Sequence, residues 1–384
     1  MTEEELEQWQ EEFEAFHARF ADLFERSESR EQARKYLRGL LTEAERKNSW
    51  QVAEAVGDLI PDRMQRLLYR VPWDADAARD RLQEFVIETF GDPEGIGVVD
   101  ETGFLKKGKQ SAGVAPQYSG TAGGRANCQI GVFLLYASAQ GAAFLDRELY
   151  LPEEWTTDRV RCREAGIPDA VGFATKGTLA QRMLQRTFAA GVRAAWVVGA
   201  TVYGSDELRT WLEGQQQPYV LAVAETHPVW IDGQARPAGL VAALLPDGAW
   251  VPLSAGEGSQ GPRLYTWAWL EVDAEPGARG GGRSWILIRR SLSQPSERAY
   301  YRAWGPPQTT LAELVRVAGR RWTIEAAFEQ AKGEVGLDQY EVRSRSGWYR
   351  HITLSLLAHA VLVVLRAQAQ EQAKKGAVPT WGSG

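Results

Sequence analysis

The chain has 384 residues, of which 44% are apolar and 24% charged, and its formal net charge at pH 7 is −6. This composition is typical of a globular protein and excludes a disordered or collagen-like chain. The two cysteines lie in unrelated contexts, which argues against a disulfide framework or a cysteine-based zinc site. No uninterrupted apolar run approaches the roughly 20 residues of a membrane span, so we predict a cytoplasmic protein with no membrane partner.

The negative charge is concentrated at the N-terminus. Residues 1–30 carry a net charge of −7, from ten acidic and three basic side chains, so the other 354 residues sum to about +1. Residues 286–350 contain eleven basic and seven acidic side chains. Local fields decide where a polyanion docks, and the composition therefore permits DNA as a partner.

Residues 1–92 are predicted to form an all-helical N-terminal domain, which we interpret as DNA-binding. Apolar side chains recur there at helical spacing, and Asp74 is a predicted N-cap. The basic stretch Arg34–Arg38, together with Arg46 and Lys47, is a candidate DNA-facing surface. A solvated face without a partner is an equally simple interpretation.

The remaining chain is predicted to be α/β, with an inserted all-β segment. Residues 93–224 alternate between short apolar strands and helices, and residues 225–306 show period-two strand patterns between Gly and Pro clusters. Residues 307–370 return to the α/β body as two helices, 311–332 and 347–370. Residues 371–384 are predicted to be a disordered tail.

One predicted helix places a carboxylate between two cations. Arg321, Glu325 and Lys332 are spaced by four and seven residues, so they share one side of the helix. This arrangement suits a metal ion flanked by phosphates, although a surface helix with ordinary i,i+4 charge pairs would have the same pattern.

A second stretch points to the same chemistry. Asp100 follows the short apolar strand 96–99, and Lys106, Lys107 and Lys109 lie in the glycine-containing loop that comes next. Two carboxylates can hold Mg²⁺ or Mn²⁺, and nearby lysines offset phosphate charge. We therefore predict a site for cutting phosphodiester bonds.

Five motifs together resemble the DDE transposases of bacterial insertion sequences, in particular the IS701 branch, which is related to the larger IS4 group. The motifs are Val99-Asp-Glu-Thr-Gly-Phe-Leu-Lys-Lys-Gly, Gln117-Tyr-Ser-Gly-Thr, Asn127-Cys-Gln-Ile-Gly-Val, Val202-Tyr-Gly and Ala331-Lys-Gly-Glu-Val-Gly-Leu-Asp-Gln-Tyr-Glu-Val-Arg. Each is weak alone, but the set is specific. The resemblance implies an RNase H-like catalytic core, a β-strand insertion before the last catalytic helix, and metal-dependent cleavage and strand transfer at transposon ends.

The resemblance also assigns the catalytic positions. Asp100 matches the first acid and Glu325 the third, and these would bind two Mg²⁺ or Mn²⁺ ions. The second acid is replaced by Ala200, which predicts that the chain is inactive as written, through either an engineered change or a natural loss. The Tyr-Arg-Glu-Lys signature of the larger group maps onto Arg321, Glu325 and Lys332, with Ala318 at the tyrosine position.

The predicted partners are double-stranded DNA, as transposon-end inverted repeats and as target, and a second copy of the chain in a homodimer on DNA. The predicted DNA-binding side chains are Lys106, Lys107, Lys109, Arg321, Lys332, Arg343, Arg345 and Arg350. The family further implies a protein associated with a prokaryotic nucleoid. A non-catalytic DNA-binding transposase remnant or regulator is the alternative, and a metal-dependent nuclease unrelated to transposition is a third.

Overall fold

The first ninety residues form five α-helices, as predicted. They are α1 (Glu3–Ala18), α2 (Ser27–Leu40), α3 (Ser49–Ala55), α4 (Asp62–Tyr69) and α5 (Ala75–Phe90). The computed structural model describes residues 3–258, 261–273 and 281–376, with side chains between residues 6 and 370. Asp74 caps α5 as predicted, because its carboxylate accepts hydrogen bonds from the backbone N–H groups of Asp76 and Ala77.

A ten-stranded mixed sheet forms the centre of the described structure. Its strands are β1 (Ile96–Leu105), β2 (Ala115–Ser119), β3 (Gly124–Ala137), β4 (Ala142–Tyr150), β5 (Trp196–Gly199), β6 (Tyr219–Val223), β9 (Val251–Gly258), β10 (Gly261–Val272), β11 (Arg283–Ser291) and β12 (Arg298–Gly305). A separate hairpin consists of β7 (Pro228–Ile231) and β8 (Gln234–Pro237). The strand order is β2-β3-β1-β5-β6-β12-β11-β10-β9, and β4 pairs with β3.

Five strands carry the part of the sheet around Asp100. β1 is antiparallel to β3, which is antiparallel to β4, while β1, β5 and β6 are parallel to one another. β1 is longer than the predicted strand 96–99, so Asp100 lies within the strand rather than at its end. The strand continues because β3 pairs with it as far as Leu105, which satisfies the backbone groups of these polar residues.

Eight helices cover the sheet in the described chain beyond residue 150. They are α6 (Glu153–Thr157), α7 (Arg159–Glu164), α8 (Lys176–Ala189), α9 (Asp206–Gly214), α10 (Ala238–Leu244), α11 (Leu311–Gly319), α12 (Trp322–Val335) and α13 (Arg345–Gly376). The single helix predicted for 311–332 is thus two helices. Arg320 and Arg321 donate to carbonyls three residues back, at Val317 and Ala318, and this tight turn separates α11 from α12.

The segment 225–306 differs from the predicted all-β insertion in containing a helix. α10 is held because Ala238, Val241 and Ala242 are buried in a small second core with strand residues such as Ile286. β12 pairs with β6 in antiparallel fashion, and β9 to β12 therefore extend the central sheet. Whether this segment behaves as a separate domain stays a prediction.

The last helix reaches further than predicted. α13 continues to Gly376, so residues 371–376 of the predicted disordered tail are helical, and residues 377–384 lie outside the described part of the chain. Gln, Ala and Lys favour helix there, and no Gly or Pro intervenes before Gly376. α13 is also the one described helix that is long and apolar enough to cross a membrane, but more than half of its apolar window is buried within the protein, as in a core helix.

Candidate active site

The sheet register brings two predicted site positions together. Val99 of β1 pairs with Gly199 of β5 in parallel, so Asp100 in β1 lies beside Ala200, which directly follows the last residue of β5. Glu325 lies in the first turn of α12. Neighbouring parallel strands explain why positions one hundred residues apart meet at one place.

Arg321 joins the two carboxylates. Its Nη1 lies 3.1 Å from Asp100 Oδ2, and its Nη2 lies 2.7 Å from Glu325 Oε1. Asp100 and Glu325 thus face a common cation, the Arg321 guanidinium, while their role in binding a metal ion stays a prediction. The Asp100 side chain is only 13% exposed, so the pair is a partly desolvated cluster rather than a surface ion pair.

Burial also changes the acidity of Asp100. Burial and, less strongly, the nearby Glu101 carboxylate raise the pKa of this carboxyl from 3.8 to about 6, although the Arg321 guanidinium opposes the rise. Asp100 consequently holds its proton to higher pH than an ordinary aspartate.

The oxygen donors of this site do not fit a two-metal centre. Ala200 supplies no side-chain donor, and Arg321 lies between the two remaining carboxylates. Within the described residues, no group of three or more His, Cys, Asp or Glu side chains is placed to hold a metal ion. Asp206, the first acid in the sequence after β5, pairs with Arg209 at 2.8 Å in the first turn of α9.

A second polar cluster adjoins Asp100 and was not predicted. Tyr203 donates a hydrogen bond of 2.5 Å to Glu101 Oε2, and Lys176 Nζ lies 2.7 Å from Glu101 Oε1. Burial raises the pKa of Tyr203 well above its usual value, so its hydroxyl remains a donor. Glu101 and Tyr203 both occur in the quoted motifs, but nothing in the sequence indicates that they pair.

Two of the predicted phosphate-binding lysines donate hydrogen bonds to groups of the protein itself. Lys332 Nζ donates to Gly103 O at 3.2 Å and to Thr121 Oγ1 at 3.0 Å. Lys106 Nζ donates to Tyr340 O at 3.2 Å and lies 3.5 Å from the centre of that ring. Burial lowers the pKa of Lys106 to about 8. Their binding to DNA stays a prediction.

The other predicted DNA-binding side chains are partly exposed and partly engaged with protein groups. Lys107, Lys109 and Arg343 are exposed, and Lys107 and Arg343 line a cleft of about 690 Å³. Arg345 lies over the Tyr349 ring at 4.5 Å. Arg350 donates to the backbone carbonyls of α4 and of the segment after it, as described below. Arg321 therefore lies at the two carboxylates, and the other predicted DNA-binding side chains lie at separate positions in the protein.

Comparison with known proteins agrees with the motifs. The family model "DDE superfamily endonuclease" matches residues 19–239, which is more than half of the chain. A curated relative, "Probable transposase for insertion sequence element IS701" from Microchaete diplosiphon, is 24% identical over 317 residues, covering 81% of this chain and 77% of the relative. The predicted relation to DDE transposases of the IS701 type is confirmed.

One solved structure is a distant match. The NurA nuclease from Sulfolobus solfataricus aligns with 80% of this chain and 94% of its own, with 9% identity and a TM-score of 0.30, which is too low to support an argument about fold or function. DDE superfamily endonucleases generally use divalent metal ions, and membership suggests nuclease or transposase activity. On the match over residues 19–239, this chain belongs to the DDE superfamily endonuclease family.

Proposed function

We propose that the chain is a transposase that binds the inverted repeats at transposon ends, and that in the form written here it does not cut DNA. The observation that carries the proposal is the position of Ala200 beside Asp100, which shares the Arg321 guanidinium with Glu325, because a carboxylate at position 200 would be the third of the site. The relative named as a transposase supports the DNA substrate.

The strand arrangement supports an RNase H-like core. β1 carries Asp100, with β3 and β4 antiparallel on one side and β5 and β6 parallel on the other. Residues 225–306 then separate β6 from α11 and α12, in the place expected for the insertion.

The residues present suit phosphate binding better than metal binding. The Arg321 guanidinium has a planar fork of donors that matches phosphate oxygens as well as carboxylates. We propose that a DNA backbone phosphate competes with Asp100 or Glu325 for this fork, and that Lys107, Lys109, Lys332 and Arg343 add charge along the strand. Homodimer formation on DNA and association with the nucleoid belong to the same proposal.

The test compares the chain with its Ala200→Asp and Ala200→Asn variants on duplexes that carry the repeats flanking its gene. Gel shifts follow binding, and denaturing gels follow cleavage with Mg²⁺ and then Mn²⁺. All three proteins should bind, and only Ala200→Asp should cut, because asparagine matches the size of the new side chain without its charge. Adding Glu325→Gln to Ala200→Asp should remove the gain.

The alternative is a non-catalytic DNA-binding remnant or regulator. It predicts that all variants bind the repeats and that Ala200→Asp stays inactive, because more of the site than one ligand has been lost. A nuclease unrelated to transposition would gain cleavage in Ala200→Asp but would show no preference for the repeats and no strand transfer. Failure of every variant to bind DNA would overturn the proposed function.

A further inference from the structure

The outer side of α4 is a basic surface. Arg63, Arg66 and Arg70 are exposed at intervals of three and four residues, so they lie on one side of the helix, and Gln65 and Tyr69 are exposed beside them. The buried side consists of Met64, Leu67 and Leu68. The helix is therefore fixed by its apolar side and presents three guanidinium groups outward.

The basic stretch singled out in the sequence is largely neutralised. Arg34 pairs with Glu14 at 2.5 Å, and Lys35 pairs with Asp58 at 2.6 Å. Lys47 is only 4% exposed. The α2 side of the helical region thus presents less positive charge than its sequence indicates.

The ion pair on α4 is weaker than those of Arg34 and Lys35. Arg66 has an acidic neighbour, Asp62, at 3.8 Å, and both side chains are about 60% exposed, so the pair holds Arg66 only weakly. Arg38 and Arg46 of the basic stretch remain exposed, but Arg63, Arg66 and the adjoining Arg70 place three exposed guanidinium groups on one side of a single helix, which makes α4 the better candidate for contact with a polyanion.

The dimensions and the turn before α4 suit the major groove. An α-helix with its side chains is about 10–12 Å across, which fits a groove about 12 Å wide, and the eight residues of α4 extend for about 12 Å along it. The turn exposes Leu59 at 96% and Ile60 at 62%. Apolar side chains beside basic ones are used to contact thymine methyl groups while arginine binds guanine. The mixture favours a base-reading helix over a purely electrostatic surface.

The rest of the protein holds α4 in place. Arg350 of α13 donates from Nη1 to Leu68 O at 3.3 Å and from Nη2 to Trp73 O at 3.2 Å. Its guanidinium also lies 5.5 Å from the centre of the Trp73 ring. This contact connects the last turn of α4 to α13, the helix that follows α12. A DNA segment bound to α4 would therefore keep a fixed position relative to Asp100 and Glu325.

We propose that α4 reads base pairs in the major groove of double-stranded DNA, with Arg63 and Arg66 contacting base edges and Arg70 contacting the backbone. This inference rests on the proposed function, because it assigns the sequence-reading element of the same DNA-binding protein. The occupant is duplex DNA, since Arg63 and Arg66 of α4 and Arg70 directly after it span about two helical turns and place positive charge where a polyanion would dock.

The experiment is a selection from 30-base-pair duplexes with a randomised centre, read by sequencing. It uses the full chain, the double variant Arg63→Gln/Arg66→Gln, and Arg182→Gln, which changes an exposed arginine on α8. The unchanged chain and Arg182→Gln should enrich the same motif. The double variant should lose two or more positions of that motif and bind the selected duplex about tenfold or more weakly, while binding unselected DNA nearly as well.

The outcomes separate the two proposals. Enrichment of the same motif by the double variant overturns the assignment of α4 and leaves the proposed function standing, whereas DNA binding with no motif in the unchanged chain overturns both, because the proposed function requires recognition of the repeats. Absence of DNA binding in the unchanged chain overturns the proposed function and the inference with it. Circular dichroism melting of the double variant should match the unchanged chain, because both arginines are exposed.

Discussion

At the scale of single residues, the site depends on how a buried charge is compensated. Asp100 is nearly buried, and an unpaired carboxylate there would be costly. In this chain the compensating charge is the Arg321 guanidinium, which contacts Glu325 as well. One guanidinium does not neutralise two ionised carboxylates, and the raised pKa of Asp100, which favours its protonated form, reduces the negative charge that remains.

A buried imidazole gives a pH-dependent stability. His351 lies between the Tyr36 hydroxyl, 2.9 Å from Nδ1, and Gly336 O, 3.0 Å from Nε2, and burial lowers its pKa from 6.5 to about 4. The unfolded chain therefore binds a proton between pH 6.5 and 4 that the folded chain does not. The corresponding stability is complete above about pH 6.5 and lost as the pH falls to 4.

For this residue we expect the free energy of unfolding to fall by up to about 3 kcal/mol across that window. His351→Gln should be less stable at pH 7 but should show a shallower dependence on pH. Urea unfolding at intervals between pH 4 and 7 measures both. An unchanged slope in the variant would show that other groups, such as buried His359, carry the acid sensitivity.

At the scale of elements, α13 organises its neighbours. It packs against α2, α4, α5, α12 and β4, and its first turns carry Arg345 and Arg350, which were predicted to bind DNA. Arg350 donates to two backbone carbonyls, so its substitution removes structural hydrogen bonds whether or not DNA is bound.

Arg350→Met should therefore lower the free energy of unfolding by about 1–3 kcal/mol, because two buried carbonyls lose a charged donor while the apolar stem is kept. Arg343→Met, a change of the same size at an exposed position nearby, should have an effect within about 0.5 kcal/mol. Urea unfolding measures both, and hydrogen exchange should become faster in α4 of the first variant alone. Equal effects of the two changes would contradict this role.

At the scale of the whole molecule, one hydrophobic core joins the N-terminal helices to the sheet, although the sequence predicts them as separate domains. The main cluster of buried side chains includes Tyr36 and Leu40 from the helical region, Leu134 from the sheet and Trp348 from α13. A shared core predicts that the N-terminal helices do not unfold separately.

Calorimetry should therefore show a single unfolding transition, with equal calorimetric and van't Hoff enthalpies. Leu40→Ala in α2 and Leu134→Ala in β3 are matched changes, since both side chains are at most 1% exposed. Each should cost about 2–5 kcal/mol and should move the same transition downward. A second transition that shifts only in Leu40→Ala would show an independent helical domain.

The local patterns predicted much of this protein. The helix periodicity up to Phe90 and the cap at Asp74 follow from spacing and side-chain preference, which act between near neighbours in the chain. The motifs also identified the family, while the catalytic role of Asp100 and Glu325 stays a prediction. The sequence by itself thus determined the local elements and the chemistry available to them.

Only the tertiary structure decided what those groups contact. The extension of β1 past Asp100 required pairing with β3, and the break between α11 and α12 required the tight turn at Arg320 and Arg321. The sequence likewise did not predict the ion pair of Arg34 with Glu14 or the exposure of α4. Charge balance and exposure depend on groups far apart in the chain, and because chain order does not record those distances, only the folded arrangement of helices and strands fixes them.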